Sequence, residues 1–362
     1  MPEPTVLLED VSPNGNVSAI VEQDDRVACM YLLLEVGGDR QVKSCWLRNL
    51  TKAPEQLDAL AIRDGIPPLM PRAHCRFPEG APPLQSDDLK IVWSEEGDAA
   101  ALYLQGDLFA VMPSWSGENG FDGFARDCIG EGPLAWELGD SGTNASFRRY
   151  EEAAEYWASW EKESFWPDYQ NTLLNGYESR LGKSSRYFAI DGGNWPPKGL
   201  SVFHQGTRTI LTTIGVGIRS QPRVELHSDT PSLLRRIELG GCYDEISDAE
   251  MKSIASYISG QSQMPWANIT WLGSGHTLPS DLFGSLSGGR FPYALLMNEH
   301  PVFPELSLPA FRNDPVTLLW MIPISELERE HAMNHGSRQL WEALKAQGSS
   351  QLGSFQRPEV TF

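Results

Sequence analysis

Alternating and clustered apolar positions predict strands through most of the first 140 residues. Val17–Glu22 and Val27–Val36 are rich in Val, Leu and Tyr, and Gln23-Asp24-Asp25 makes a turn-like break between them. Val42–Leu47 continues the pattern. Leu89–Trp93 and Ala99–Leu104 flank Ser94-Glu95-Glu96-Gly97-Asp98, a hairpin signal because Gly97 can supply positive φ. Leu108–Met112 follows as the next strand. Pro-rich stretches at Gly65–Arg72 and Pro78–Pro83, and the Gly-rich Trp115–Gly123, read as loops.

Near Gly139–Asn144 the period changes from two to between three and four. Tyr150, Ala153, Ala154, Trp157 and Trp160 form one helical face, with Glu151, Glu152 and Glu155 opposite. Pro167 should end or kink that run, and a second helix over Tyr169–Leu181 should stop at Gly182. Strands are then expected at Tyr187–Ile190, Leu200–Gln205, Thr209–Gly215 and Ile237–Cys242. An amphipathic helix, Ser247–Gly260, points Met251, Ile254, Ala255 and Ile258 inward. Strands or loops run through Asn268–Leu272, Tyr293–Leu296 and Val316–Ile322. The chain should close with one helix over Ser325–Gln347, with Leu327, Ala332, Leu340 and Leu344 facing inward. Strands and helices without regular βαβ alternation predict an α+β fold. The expected division is a mostly β domain over residues 1–142, an α/β domain over 143–348 and a tail over 349–362.

Composition changes this picture only for partners and location. At 362 residues the chain is long enough for two domains, and 41% hydrophobic with 21% charged residues is ordinary globular composition. No apolar run approaches the ~20 residues that span a bilayer. Met1-Pro2-Glu3-Pro4 lacks a basic, apolar export signal, so a cytoplasmic protein is expected. The five cysteines, Cys29, Cys45, Cys75, Cys128 and Cys242, are widely spaced and odd in number. They fit reduced, buried thiols and not a disulfide framework or a zinc site. The net charge is −19. Residues 1–142 hold 10 Lys/Arg against 24 Asp/Glu, and the remainder 19 against 24. Such a field repels nucleic acid and anionic membrane and draws in a basic partner.

The motifs that resemble chemistry fail on context. Gly182-Lys183-Ser184 lacks the glycine that a phosphate loop needs at position 177, which is Tyr177, and a helix precedes it instead of a strand. Gly139-Asp140-Ser141-Gly142 copies the surroundings of a protease serine but sits in an interdomain turn. His331 and His335 share one helical face, with Glu328 nearby, yet the glutamate of a zincin would follow the first histidine, where Ala332 stands. No metal and no cofactor is therefore expected. His276, in the loop Gly273-Ser274-Gly275-His276-Thr277, is the candidate general base of a rival reading, a hydrolase with Asp281 or Glu299 beside it. Trp115, Trp195 and Trp266 lie in predicted loops, off any periodic face, where tryptophan favours protein interfaces.

Segments of the second half resemble suppressor-of-fused-like proteins. They are Thr212-Thr213-Ile214-Gly215-Val216, Pro222-Arg223-Val224-Glu225-Leu226, Arg235-Arg236-Ile237-Glu238-Leu239, Pro265-Trp266 and Trp271 to Thr277. The ending adds Leu318-Leu319-Trp320-Met321-Ile322-Pro323-Ile324, Glu326-Leu327-Glu328-Arg329 and Gly336-Ser337-Arg338-Gln339-Leu340. Together they cover roughly residues 165–348. The resemblance implies a mixed-sheet α/β sandwich used to bind other proteins. Animal members sequester transcription factors in a groove between two domains, and bacterial members are similar to immunity proteins that neutralise toxins. Val92–Asp98 and Pro113–Gly117 look like an accessory domain in front of some bacterial homologues.

The expected function is a non-enzymatic protein-binding module, an immunity protein that neutralises a basic toxin or a regulator that sequesters a partner. The expected contact residues are Trp195, Trp271, His276 and Arg290, with acidic support from Glu95, Glu96 and Asp98.

Overall fold

A computed structural model describes residues 4–36, 39–140, 145–304, 306–348 and 351–362. They cluster into two compact units, one of residues 1–161 with 266–269 and one of 162–265 with 270–362.

The first unit opens with an antiparallel meander, β1 (Thr5–Val11), β2 (Val17–Gln23), β3 (Val27–Val36) and β4 (Asp39–Asn49). β1 gives no strand signal in the sequence because most of its side chains are exposed, so no burial period marks it. The short helix α1 (Ala59–Arg63) precedes a second sheet, β5 (Leu89–Trp93), β6 (Ala100–Leu104), β7 (Asp107–Met112), β8 (Phe124–Ala125) and β9 (Trp136–Glu137). The expected hairpin is β5–β6, and Gly97 takes φ +76 at its turn. Buried residues of both sheets, Met30, Leu32, Trp46, Leu102 and Phe109 among them, make one core.

Helix α2 (Ala145–Ser159) belongs to the same unit as these two sheets. Phe147 and Tyr150 pack on Ala99, Ala101 and Val111, and the Trp157 indole N–H donates to the Trp93 carbonyl at 2.9 Å. The units therefore part after Glu161, later than the break expected near residue 142. Residues 141–144 at that break, including Ser141 and Gly142 of the protease-like tetrapeptide, lie outside the described residues.

The second unit is built on a seven-stranded mixed sheet in the order β10-β11-β12-β13-β16-β15-β14. The strands are β10 (Arg186–Ala189), β11 (Gly199–Gln205), β12 (Arg208–Ile214), β13 (Arg236–Asp244), β14 (Thr277–Pro279), β15 (Tyr293–Met297) and β16 (Val316–Ile324). Among the described residues of this sheet only β13 and β16 run parallel, so the unit is α+β as the pattern predicts. Helix α3 (Phe165–Leu181) covers one face, bringing Tyr169 to Glu238 and Tyr177 to Phe203. Pro167 falls in its first turn, where a missing N–H costs nothing, and Gly182 caps it. Lys183 and Ser184, in the phosphate-loop lookalike, simply bind Glu178 at that cap.

Tyr243 lies an odd number of residues from Glu238 and so points to the other face. There it meets Phe283 of α6 (Asp281–Leu286) and Phe355 of the C-terminal segment, while Tyr257 of α4 (Asp248–Gln261) packs on Phe283. α4 buries the four residues that its period predicts, and Ser247 and Glu250 form a capping box at its start. A one-turn helix, α5 (Met264–Ala267), comes next along the chain.

The C-terminus departs from expectation twice. Gly336, at φ +94, splits the single helix into α7 (Glu326–His335) and α8 (Ser337–Gly348). Leu327 is 62% exposed, and Glu328 takes the buried position instead, paired with Arg357. The expected tail is thus packed structure, with Leu352, Phe355 and Arg357 all buried. Among the described residues no helix is long and apolar enough to cross a membrane.

Candidate functional site: one end of the mixed sheet

Strand register gathers four connections at one end of the seven-stranded sheet. Gly199 of β11 stands opposite Ile214, where β12 ends, and Arg236 of β13 stands opposite Val316, where β16 begins. Met297 of β15 and Thr277 of β14 finish the row. The loops leaving this end carry Trp195, Lys198, Arg219, Gln221, His227, Trp271 and His276.

At the centre Glu238 is wholly buried. Its carboxylate accepts from the Thr213 hydroxyl at 2.6 Å, the Tyr169 hydroxyl at 3.0 Å, and the backbone N–H groups of Gly215, Val216 and Gly217 at 2.9, 3.3 and 3.0 Å. Burial pushes its pKa up, and the Thr213 and glycine donors oppose that. Three consecutive N–H groups on one carboxylate fold the chain after β12 into a tight turn. Gly215 is needed there. Its φ is +109, and a Cβ would meet the Pro197 carbonyl and the Trp166 ring at 2.8 Å.

The turn leads into a polar stretch. Arg236 holds the Gly217 and Ile218 carbonyls at 3.3 and 3.0 Å. The Gln221 side chain donates to the Leu234 and Leu272 carbonyls and accepts from the Leu272 N–H, tying the turn to the Trp271 loop. Arg219 lies over the Trp195 ring at 5.0 Å from its centroid. Trp195, 40% exposed, sits in a loop that the Asp191 carboxylate stitches to the Gly193 and Lys198 N–H groups.

Lys198 is 2% exposed, and its ammonium has no hydrogen-bond partner among the described residues. Burial first, and Arg219 second, bring its pKa down to about 8. The unfolded chain then holds more protons between pH 8 and the ordinary lysine value of 10.5, so stability should rise with pH across that window. Lys198→Met should flatten that rise. Equal slopes in both proteins, measured by chemical denaturation at stepped pH, would refute the assignment.

At the far side of the same end, Trp271 packs edge-on to His276 at 4.4 Å between centroids and stacks with His227 at 5.6 Å. Burial and the nearby His227 lower the pKa of His276. Backbone bonds between Gly275 and Leu296, and between Leu296 and His276, fix the loop on β15. Among the described residues, no carboxylate hydrogen-bonds the His276 ring. Glu299 is occupied by the Trp341 indole and Arg338, and Asp281 stands in the first turn of α6.

The structure thus brings Trp271 and His276 together and places Trp195 at the same sheet end. It adds His227, Arg219 and Lys198, which carry no spacing signal linking them to the others. Arg290 belongs elsewhere. It donates to the Ser287, Phe355 and Arg357 carbonyls and to Gln356, fastening the C-terminal segment. Glu95, Glu96 and Asp98 are buried in the first unit, where Glu96 pairs with Arg149 and its carbonyl accepts from Asn14. They form no solvent-facing acidic patch. Trp266 is likewise buried. His331 stacks on His335 and on Phe362, and no metal-binding group of three or more ligands exists among the described residues.

Residues 198–358 match the family model described as "Suppressor of fused protein (SUFU)". That match supports a suppressor-of-fused-like domain within the second unit. The match begins at Lys198, just after Trp195, and takes in the caged Glu238, the Trp271–His276 loop and the packed C-terminus. Among solved structures, "the Sufu-Fu complex crystal structure" is similar at 14% identity and a TM-score of 0.38, covering 54% of this chain and 91% of that one. No curated protein matches.

Proposed function

We propose that this chain is a protein-binding module whose suppressor-of-fused domain engages a partner through the loops at the Trp195–Trp271 end of the sheet. One observation carries the reading. Two loop tryptophans both sit at that end, where Trp271 contacts two imidazoles and Trp195 covers a guanidinium. Aromatic rings held rigidly by neighbours lose little entropy on binding and dominate interface energies. The partner we favour is a basic protein, such as a cationic toxin neutralised by an immunity protein, because a net charge of −19 steers cations toward this chain.

Products of neighbouring open reading frames, purified and titrated calorimetrically, would test this. A complex tighter than micromolar is expected, with association slowing as salt rises. Trp271→Ala should weaken it by at least about tenfold, while a surface change such as Leu60→Ala in the first unit leaves it unchanged. Full affinity in Trp271→Ala would move the interface elsewhere.

A further inference from the structure

We propose that Cys75 and Cys128 form a reversible disulfide site within the first unit. Cys75 and Cys128 face each other across an antiparallel bridge. On either side of the pair, the Arg76 N–H donates to the Asp127 carbonyl and the Ile129 N–H to the His74 carbonyl, both at 2.9 Å. Bonds that skip the facing residues define a non-hydrogen-bonded pair, the register in which opposed Cα atoms come closest, at about 4.5 Å. Disulfides require Cα atoms roughly 4.4–6.8 Å apart with converging Cβ vectors. The distance typical of this register falls within that range.

Among the described residues, no other two cysteines are register partners across neighbouring strands. Cys29 stands opposite Trp46, and Cys45 opposite Met30, so adjacent strands hold those two thiols on opposite faces of their sheet. Cys242 lies in the second unit. Both paired thiols are free and buried, Cys75 donating to the Phe77 carbonyl at 3.3 Å and Cys128 to the Ala135 carbonyl at 3.0 Å. Burial raises both pKa values, that of Cys128 to about 11, so the folded, reduced pair reacts slowly. The bond therefore forms while the segment is open, in folding or local unfolding.

The oxidant is a low-molecular-weight disulfide. One thiolate attacks it, releasing a small thiol and leaving a mixed disulfide. The second thiolate displaces the other small thiol and closes the protein disulfide, so two thiol hydrogens leave the chain on two reduced molecules. Closure encloses residues 75–128, with all of β5 to β8, in one covalent loop. Pinning so long a loop constrains the unfolded chain and protects that sheet from opening.

The experiment uses the full chain, reduced, unfolded and refolded in a glutathione buffer. Free thiols are then alkylated and disulfide-linked peptides mapped by mass spectrometry. The expected result is one linkage, Cys75 to Cys128, with the other three thiols alkylated and the thermal midpoint raised by on the order of 10 °C until reductant is added. Refolded protein with five alkylated thiols, a Cys45–Cys128 linkage, or only glutathione adducts would each overturn the proposal.

Discussion

Replacing Glu238 with alanine should cost the second unit about 4–5 kcal/mol, at the extreme of single substitutions. The side chain is fully buried, and five donors converge on it. Its loss strands the Tyr169 and Thr213 hydroxyls and three backbone N–H groups away from water, and a buried donor without an acceptor costs about 1–3 kcal/mol. Partial relaxation keeps the total below the sum. Glutamine keeps the volume and one acceptor oxygen but turns an amide toward N–H donors, so Glu238→Gln should fall between wild type and alanine. The damage should also spread, because the same turn carries Arg219 and, through Gln221, the Trp271 loop. Amide exchange resolved to β12, β13 and the Gly215–Gln221 segment separates this from any change in the first unit, whose exchange should stay at wild-type rates. Wild-type protection of Gly215 to Gly217 in Glu238→Ala would show that the carboxylate does not organise the turn.

Glu238 also marks where sequence reasoning stops. Its segment reads clearly as a strand, and the strand is there. A carboxylate in a strand reads as a solvated face, and nothing local reveals that a glycine turn and two hydroxyls from other elements surround it. The acidic hairpin Glu95-Glu96-Gly97-Asp98 misleads in the same way, since its buried state depends on Arg149 and Asn14. Elements with a one-sided apolar period, such as α4 and the β5–β6 hairpin, are legible because period and burial coincide. β1, with no buried face, leaves no such trace. Of the candidate site, Trp271 and His276 were legible because they are close in sequence. His227 and Lys198 were not, because only the strand register brings their loops to the same sheet end.

The C-terminal segment gives the second large effect. Arg357→Ala should destabilise the second unit by about 3–5 kcal/mol, because it leaves the fully buried Glu328 carboxylate without its counter-charge. The pair is bidentate, with Arg357 Nη1 to Glu328 Oε1 at 2.7 Å and Nη2 to Oε2 at 2.6 Å. Arg357 also donates to the Pro323 carbonyl and lies over the Phe291 ring at 4.3 Å. Glu328 has two further duties, closing the capping box with the Ser325 N–H and accepting from the Val360 N–H, so α7 and the last residues are fixed by one carboxylate. A methionine at 357 with glutamine at 328 removes both charges while keeping much of the volume, and buried ion pairs replaced in this way often lose little. The double variant Arg357→Met with Glu328→Gln should therefore be more stable than Arg357→Met alone by at least about 2 kcal/mol, a non-additivity that the double-mutant cycle of these two substitutions reads directly. Deleting residues 351–362 should be worse than either, since Leu352 and Phe355 leave the core together with Arg357. If the deletion unfolds in urea at the wild-type midpoint, the segment is a tail after all, and the burial of Glu328 needs another source of compensation.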